Sequence, residues 1–207
     1  MKSTVITRYE QEALTSNLGC ANLWPYLSIN LGYQVLDLGC GRGEATRQLA
    51  KMVGSNGRVI GLDLTPAMIT LARQQTLLDN VEFVVGDIHY LPFAEGIFDV
   101  ICSNCVINHS LDKKQVFTEL FRVLKPGGYF LIGDVMSIED LPDLVRKDPS
   151  KVAACWGGAI PRSQYLEVIS GCGFSSLDIV NSRSYLKEGY EMESIILKGI
   201  KEWDKER

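Results

Sequence analysis

The sequence lacks several features that mark specialised classes of protein. No apolar run approaches the ~20 residues that a membrane-spanning helix needs, and the first residues are polar, without the apolar core of a secretory signal. We therefore expect no membrane contact and a cytoplasmic location. Basic residues are not in excess either, because 21 Lys and Arg stand against 25 Asp and Glu. This balance argues against nucleic acid as a partner.

Regularly spaced cysteines, internal repeats, low-complexity stretches and linkers are also absent. Six cysteines are scattered over 207 residues, unlike the dense spacing of small disulfide-stapled secreted domains, so we expect reduced thiols. A folded chain of this size hides roughly 70% of the surface that it exposes when unfolded. We therefore predict one domain over residues 1–207, with a core that needs no metal or disulfide.

What the sequence does contain is a repeated alternation of apolar runs rich in Val and Ile with stretches of helical periodicity. This alternation is typical of an α/β fold, and we predict a Rossmann-like, doubly wound sheet of seven mostly parallel strands. About a dozen residues without helical pattern separate the last two strands, so the last strand is predicted to be antiparallel. The predicted strands cover residues 34–38, 58–64, 81–87, 98–104, 129–135, 175–180 and 193–200.

Helical periodicity fills the intervals between these strands. The predicted helices cover residues 45–53, 66–77, 112–124 and 161–170. Thr65 precedes a proline that suits a first helical turn, and it is the candidate N-cap. Residues 125–128, Lys-Pro-Gly-Gly, predict a helix stop followed by a turn.

Three alternating glycines, Gly39, Gly41 and Gly43, follow the first strand and precede a helix. Glycines at such a turn let the backbone approach a ligand closely at the carboxyl edge of the sheet. Asp63 lies 20 residues beyond Gly43, where an acid accepts hydrogen bonds from ribose hydroxyls in Rossmann-type sites. The alternative is that the glycines only form a tight turn and that the acids cap loops or helices.

Two further acids lie at the same predicted edge. Asp87 ends the third strand, and Asp37 directly precedes the glycine loop. A carboxylate beside this loop suits a positively charged ligand better than a pyrophosphate, since like charges repel. Together these residues predict a site for a nucleoside with positive charge.

The motifs resemble those of the class I S-adenosylmethionine-dependent methyltransferases over residues 35–135. DLGCGRG resembles the first motif, GLDLTPAMI the second, GDI at 86–88 the adenine-contacting segment, and FDVICSN with RVLKPGGYFLIGDV the fourth and fifth strands. The resemblance implies S-adenosylmethionine as the cofactor. The cofactor-binding residues that it implies are Asp37, Gly39, Cys40, Gly41, Gly43, Asp63, Leu64, Met68, Gly86, Asp87, Ile88 and Ser103. Residues 1–33 would then form an N-terminal cap, 34–135 the cofactor-binding core, and 136–207 the acceptor side with the final antiparallel strands.

Three cysteines precede or follow the strands that end at this edge. Cys20 lies upstream of the first strand, Cys105 directly after the fourth and Cys155 beyond the fifth. Three converging thiolates form a soft site that suits a thiophilic metal or metalloid. The contexts LGC, SNCVIN and CxGGA resemble those of the arsenite S-adenosylmethionine methyltransferases, in a short form without their further C-terminal domain. The resemblance implies that Cys20, Cys105 and Cys155 bind As(III) as the methyl acceptor, with no resident metal.

The other cysteines and polar groups have weaker contexts. Cys40, Cys102 and Cys172 are predicted to pack, although Cys40 also lies inside the glycine loop, and the CxxC formed by Cys102 and Cys105 straddles a strand end, unlike redox or zinc sites. His109 is either a base or ligand, or a residue that closes a polar loop. Trp156, Tyr165 and Tyr185 either wall the acceptor pocket or pack elsewhere.

Two other functions stay open at this point. One is methyl transfer to a small organic acceptor of the quinone or thiol type, with incidental cysteines and His109 or Asn104 placing the nucleophile. The other is a metalloid-binding protein without catalysis. In each case the partner is a small molecule or a metalloid, and the sequence predicts no oligomeric state.

Overall fold

The computed structural model describes residues 2–12 and 21–203. Within these residues seven strands form one sheet in the order β3-β2-β1-β4-β5-β7-β6. Six strands run in the same direction and β7 runs antiparallel to both of its neighbours, which confirms the predicted α/β doubly wound fold. The strands are β1 Gln34–Leu38, β2 Arg58–Asp63, β3 Val81–Val85, β4 Phe98–Asn104, β5 Leu124–Ser137, β6 Ser176–Lys187 and β7 Tyr190–Ile200.

Helices cover both faces of the sheet in the described part of the chain. They are α1 Lys2–Glu12, α2 Glu44–Val53, α3 Pro66–Gln74, α4 Lys113–Val123, α5 Asp143–Arg146, α6 Pro149–Ala153 and α7 Arg162–Ser170, with 3₁₀ turns at Trp24–Tyr26 and Ile107–His109. Thr65 occupies the predicted N-cap position of α3, but its side chain makes no capping hydrogen bond there. No helix among these residues has the length and apolar character to cross a membrane.

The central strands explain why the chain folds in this way. In β1, Val35, Leu36 and Leu38 are fully buried, because successive side chains point to opposite faces and both faces are covered by helices. One large apolar cluster contains Leu36 and Leu38, and a second contains Val35. Because β1 to β5 run parallel, their carboxyl ends lie at one edge of the sheet, where the loops after β1, β2, β3 and β4 meet.

Residues 125–128 differ from the prediction. The helix stop is correct, since α4 ends at Val123, but the segment begins strand β5 instead of forming a turn. Leu124 pairs with Phe98, and the register then shifts between Phe98 and Val100. Gly127 has a φ of +79°, and this local bulge lets the chain leave the helix and enter the sheet without a separate turn.

The last two strands form a long hairpin. Lys187 pairs with Tyr190, and Glu188 and Gly189 between them both have positive φ, as the central residues of a type I′ turn do. The antiparallel pairing was predicted, but both strands are longer than predicted. Residues 181–187 alternate poorly because β6 is a largely exposed edge strand, so their polar composition hid the strand.

Candidate cofactor and acceptor site

A cavity of about 460 Å³ lies at the carboxyl edge of the sheet. The glycine loop after β1, the ends of β2 and β3, and the loop after β4 form its floor and sides. The first helix, α1, adds Lys2, Val5 and Tyr9 to the wall, and residues 21–24 add another part. Open α/β sheets bind ligands in this place.

The three positions in the loop require glycine for different structural reasons. All have positive φ, of +76° at Gly39, +51° at Gly41 and +75° at Gly43. A Cβ at Gly39 would lie 2.2 Å from Val106 Cγ2, and one at Gly43 would lie 2.4 Å from Phe83 Cζ. A Cβ at Gly41 would meet nothing within 4 Å. Gly39 and Gly43 are therefore needed for packing, whereas Gly41 presents bare backbone to the cavity.

Asp63 at the end of β2 is tied to this loop. Its Oδ2 accepts a hydrogen bond from the Gly41 amide at 2.9 Å, and its Oδ1 accepts one from the Thr65 amide at 2.8 Å. Burial raises the pKa of Asp63 above its ordinary value, against the lowering effect of these amides. The carboxylate thus both supports the loop and lines the cavity, where its remaining lone pairs can accept ligand hydroxyls.

Asp37 is the most deeply buried acid on the cavity wall, at 6% exposure. Its Oδ2 accepts a hydrogen bond from Thr46 Oγ1 at 2.5 Å. Burial and, to a smaller extent, the nearby charge of Asp63 raise its pKa to about 6, against the lowering effect of the hydrogen bond from Thr46. A cationic ligand would stabilise the charged form, since an opposite charge favours ionisation.

Asp87 after β3 belongs to a chain of polar groups that sequence reasoning missed. Its Oδ1 lies 2.6 Å from His89 Nδ1, and His89 Nε2 lies 2.7 Å from Ser110 Oγ. Lys2 of α1 makes an ion pair with the other oxygen of Asp87. Burial raises the pKa of Asp87, but the hydrogen bonds from Lys2 and His89 outweigh it and bring the value to about 2. The chain connects the predicted adenine segment to the loop after β4.

Most of the predicted cofactor-binding residues lie on the cavity wall, namely Asp37, Gly39, Cys40, Gly41, Asp63, Leu64, Met68, Asp87 and Ile88. The other three sit beside it. Gly43 packs on Phe83, a Cβ at Gly86 would lie 2.7 Å from Leu62 Cδ1, and the Ser103 hydroxyl donates to the Leu38 carbonyl at 3.0 Å.

Of the three predicted acceptor cysteines, Cys20 lies outside the described residues. Cys105 lines the cavity. Cys155 lies just after the end of α6 and is not on the cavity wall, but its Sγ is 3.3 Å from the Cys105 carbonyl oxygen. Both cysteines have a left-handed backbone, with φ of +60° and +73°. Such strain in a residue other than glycine is held by the surrounding structure and clusters at functional sites.

The expectation of reduced thiols is wrong for Cys105, which is disulfide-bonded in the structure. Cys40, Cys102, Cys155 and Cys172 are free. Sparse spacing along a sequence does not keep two thiols apart when the fold brings distant segments to one edge, and this is the physical reason for the error. Burial and neighbouring charges raise the pKa of Cys40, Cys102 and Cys155 above the ordinary value.

Beneath Cys155 lies a buried acid that sequence reasoning also missed. Cys155 Sγ contacts Asp134 Oδ1 at 3.8 Å, and the Tyr165 hydroxyl donates to Asp134 Oδ2 at 3.1 Å. Burial raises the pKa of Asp134 to about 6, against the nearby ammonium of Lys113. Burial likewise lowers the pKa of Lys113 to about 8. The sequence did contain a signal for this buried acid, because Asp134 lies inside the apolar run YFLIGDV.

His109 holds α1 and α6 together. Its Nδ1 faces the Val152 carbonyl at 3.0 Å and must donate there, so Nε2 is left to accept from the Tyr9 hydroxyl at 2.9 Å. Burial lowers the pKa of His109 to about 4, which keeps the ring neutral near pH 7. Both nitrogens are occupied by protein groups, which agrees with a role in closing the loop.

The remaining candidates pack away from the cavity. Tyr165 is fully buried in the largest apolar cluster, and Trp156 packs with Tyr185 in a smaller one. Cys102 is buried in the core and Cys172 is half-buried at the end of α7, so the packing predicted for them agrees with the structure. In the described ranges no group of three or more His, Cys, Asp or Glu side chains is arranged to hold a metal ion.

Comparisons with known proteins agree with this geometry. A family model described as a methyltransferase domain matches residues 29–202. An arsenite methyltransferase of Halobacterium salinarum is 39% identical over 165 residues, which cover 78% of this chain and 42% of that protein. A demethylmenaquinone methyltransferase of Lactobacillus johnsonii is 37% identical over 133 residues, which cover 60% of this chain and 54% of that protein.

Among solved structures, an arsenic(III) S-adenosylmethionine methyltransferase from Chlamydomonas reinhardtii superposes with a TM-score of 0.83 at 30% identity. The match covers 96% of this chain and 74% of that one. The chain spans about half the length of the curated relatives that it matches.

Proposed function

The chain belongs to the methyltransferase-domain family, and from that premise we propose that it transfers a methyl group from S-adenosylmethionine to As(III), or to a related thiophilic species, held by Cys20, Cys105 and Cys155. The observation that best supports this acceptor is the contact between Cys155 Sγ and the carbonyl oxygen of Cys105, which lines the cavity. The arsenite methyltransferases that are similar to this chain support the same acceptor.

The residues of the cavity fit S-adenosylmethionine. Gly41 offers bare backbone for close approach, and Asp63 offers a carboxylate for ribose hydroxyls. Asp87, fixed by His89, offers an acceptor for an adenine amino group. The buried Asp37 favours the positive charge of the methionine part. When bound, the cofactor supplies a methyl group on a sulfonium, which an arsenic lone pair can take in line while the carbon–sulfur electron pair stays on sulfur.

The cysteines would bind and orient the acceptor. Each thiol replaces one hydroxide of As(III), with an As–S bond formed and one water released, so the thiol proton leaves as part of that water. The high pKa of the Cys155 thiol therefore does not prevent binding. The arsenic lone pair carries no proton, so the transfer requires no general base and depends on proximity and orientation. This agrees with a His109 whose two nitrogens both face protein groups.

An As(III) titration of the phosphine-reduced protein tests this function. We expect one site in the wild type, at least ~10-fold weaker binding in each of Cys20→Ser, Cys105→Ser and Cys155→Ser, and no change in Cys172→Ser, whose half-buried thiol contacts the Lys114 carbonyl away from the cavity. Equal affinity in all four variants would refute the thiol site.

A small organic acceptor is the second candidate, because the sequence of this chain is also similar to that of a demethylmenaquinone methyltransferase. Cofactor turnover with a reduced quinone, measured on the variant lacking all three predicted acceptor cysteines, distinguishes the two. Full activity with the quinone and none with arsenite would favour the organic acceptor.

A further inference from the structure

The side chain of Lys113 is buried and joins two segments of the candidate site. Lys113 begins α4 and is only 5% exposed. Its Nζ donates a hydrogen bond to the Ser110 carbonyl at 2.9 Å and one to the Gly158 carbonyl at 2.6 Å. An ammonium is seldom buried to this extent without such partners, because its desolvation is costly. Lys113 thus connects the loop after β4 to the turn at residues 155–158, which follows α6.

The two segments also meet through their backbones. A Cβ at Gly158 would lie 1.8 Å from the Asn108 carbonyl oxygen. The φ of Gly158 is outside the left-handed region, so close approach and not backbone conformation explains this glycine. Asn108 is itself fixed to the sheet, since its Nδ2 donates to the Val135 carbonyl of β5 at 2.5 Å. The turn at 155–158 therefore rests on a loop that the sheet holds in place.

The position of the Cys155 sulfur depends on this junction. Cys155 begins the turn, and its Sγ lies 3.3 Å from the carbonyl oxygen of Cys105 at the start of the loop after β4. Lys113 binds the last residue of the same turn, Gly158. Contacts at both ends therefore hold the turn on the loop. Without the ammonium, the Gly158 end could leave the loop, and the sulfur would move with the turn.

We propose that Lys113 is a positioning residue that holds the turn at 155–158 on the loop after β4 and so keeps the Cys155 sulfur beside Cys105, which lines the cavity. The use of this sulfur for As(III) rests on the proposed function. Its position does not, because it can be measured on the thiol itself. Cys155 is free in the structure, so the measurement needs no reductant and leaves the disulfide of Cys105 intact.

The first variant is Lys113→Met, whose side chain has a similar length but no hydrogen-bond donor. The readout is the rate at which iodoacetamide labels Cys155, followed by peptide mass spectrometry. Cys155 is 8% exposed, so we expect labelling through transient opening of the turn. The rate should rise at least ~10-fold in the variant, because two charge-assisted hydrogen bonds that hold the closed turn are lost. An unchanged rate would overturn the proposal.

The charge of Lys113 cannot by itself produce such a rise. Burial raises the pKa of the Cys155 thiol, and the nearby ammonium of Lys113 lowers it. Loss of that charge alone would leave less thiolate, which is the reactive form, and would slow the labelling. A faster reaction therefore reports the release of the turn.

Val53→Ala is the matched control for a general loss of stability. Val53 is fully buried in α2, in the apolar cluster that contains Val35, whereas Trp156 of the turn belongs to another cluster. Opening of the turn leaves the contacts of Val53 intact, so we expect a Cys155 rate within about twofold of the wild type. Urea unfolding measures the stability of both variants. An equal rise in both would mean that Cys155 reacts only through global unfolding, and would overturn the proposal.

A milder variant covers the case in which Lys113→Met does not fold. Lys113→Gln keeps a donor group on a shorter side chain, so we expect a Cys155 rate between those of the wild type and Lys113→Met. Thermal unfolding and S-adenosylhomocysteine binding report whether each variant folds. Where Lys113→Met does not fold, Lys113→Gln decides, and a rate equal to that of the wild type or of Val53→Ala overturns the proposal.

An As(III) titration separates the two proposals. Faster labelling of Cys155 in Lys113→Met, together with no As(III) binding by the wild type, would support the positioning role and refute the acceptor. As(III) binding that depends on the cysteines, together with an unchanged labelling rate in Lys113→Met, would support the acceptor and refute the positioning role. If both proposals hold, the As(III) affinity of Lys113→Met should fall about tenfold, with S-adenosylhomocysteine affinity unchanged.

Discussion

Replacing Asp37 with Asn should make the free protein more stable while weakening cofactor binding. The pKa of Asp37 is raised from 3.8 to about 6 by burial. The folded state therefore holds a proton that the unfolded state has lost between these pH values, so stability falls as the pH rises through this window. Above pH 6 the cost of the charge is ~3 kcal/mol, from about two pKa units at 1.36 kcal/mol each.

In Asp37→Asn this cost is absent, and the Thr46 hydroxyl can turn to accept from the new amide in place of donating to the carboxylate. We expect the variant to gain up to ~3 kcal/mol in the free energy of unfolding at pH 7.5, and little at pH 4, where Asp37 is already protonated. Urea unfolding at the two pH values measures this difference. A variant that is less stable than the wild type at pH 7.5 would contradict the argument.

Cofactor affinity should show the opposite effect. In the wild type a cation is bound best by the charged carboxylate, so affinity for S-adenosylmethionine should rise with pH and level off above pH 6. At pH 5 about one tenth of Asp37 is ionised, which predicts roughly tenfold weaker binding, or ~1.4 kcal/mol. Calorimetry of Asp37→Asn between pH 5 and 7.5 should show weak binding with most of this slope removed.

Asp134→Asn provides the matched control for that slope. Burial also raises the pKa of Asp134 to about 6, but this acid contacts Cys155 and Tyr165 and is not part of the cavity wall. We expect its cofactor affinity to keep the wild-type pH dependence. The same slope in wild type and Asp37→Asn, or its loss in Asp134→Asn, would refute a cation-binding role for Asp37.

Three further predictions concern the cavity. Gly39→Ala should destabilise the fold by several kcal/mol in an unfolding experiment, because its Cβ would overlap Val106. Gly41→Ala should cost only ~1 to 2 kcal/mol of backbone strain, since its Cβ meets nothing, but calorimetry should show weaker cofactor binding. His89→Ala should weaken adenosine binding about tenfold and leave As(III) affinity unchanged, and an unchanged adenosine affinity would contradict the role of the polar chain. Tyr9→Phe should cost ~1 kcal/mol in unfolding free energy by removing the donor to the half-buried His109 ring, and a neutral effect would contradict the tautomer assigned to that ring.

The sheet could be predicted from sequence because its strands are buried on both faces. The bounds of β1 and β4 were predicted to the residue, since apolar runs of this kind have few alternatives once helices flank them. The bulged start of β5 and the outer half of β6 could not be predicted. In both, a local feature decides the structure against the apolar pattern, namely the positive φ of Gly127 and the exposure of an edge strand.

The residues of the candidate site could also be predicted only in part. The glycine loop, Asp37 and Asp63 follow from spacing, because the strand and the turn carry them to a known edge. The polar chain through His89 and Ser110 does not, since its members come from two loops that are distant in sequence and meet only in the folded structure. The same holds for Tyr9 and His109, which meet only because α1 lies over the cavity. Tertiary contacts between loops leave no periodic signal in the sequence.

The two described cysteines of the predicted acceptor site show what the fold adds to a motif. Cys105 and Cys155 have left-handed backbones that any residue other than glycine adopts at a cost of ~1 to 2 kcal/mol. Glycine would relieve that strain at both positions but would remove both thiols. Under the proposed function, the stability lost to this strain is offset by the use of the two sulfurs. Asn104, the residue before Cys105, binds the backbone of Ala21 through two hydrogen bonds, so the chain beside this strained cysteine is held by a tertiary contact that the sequence motif does not reveal.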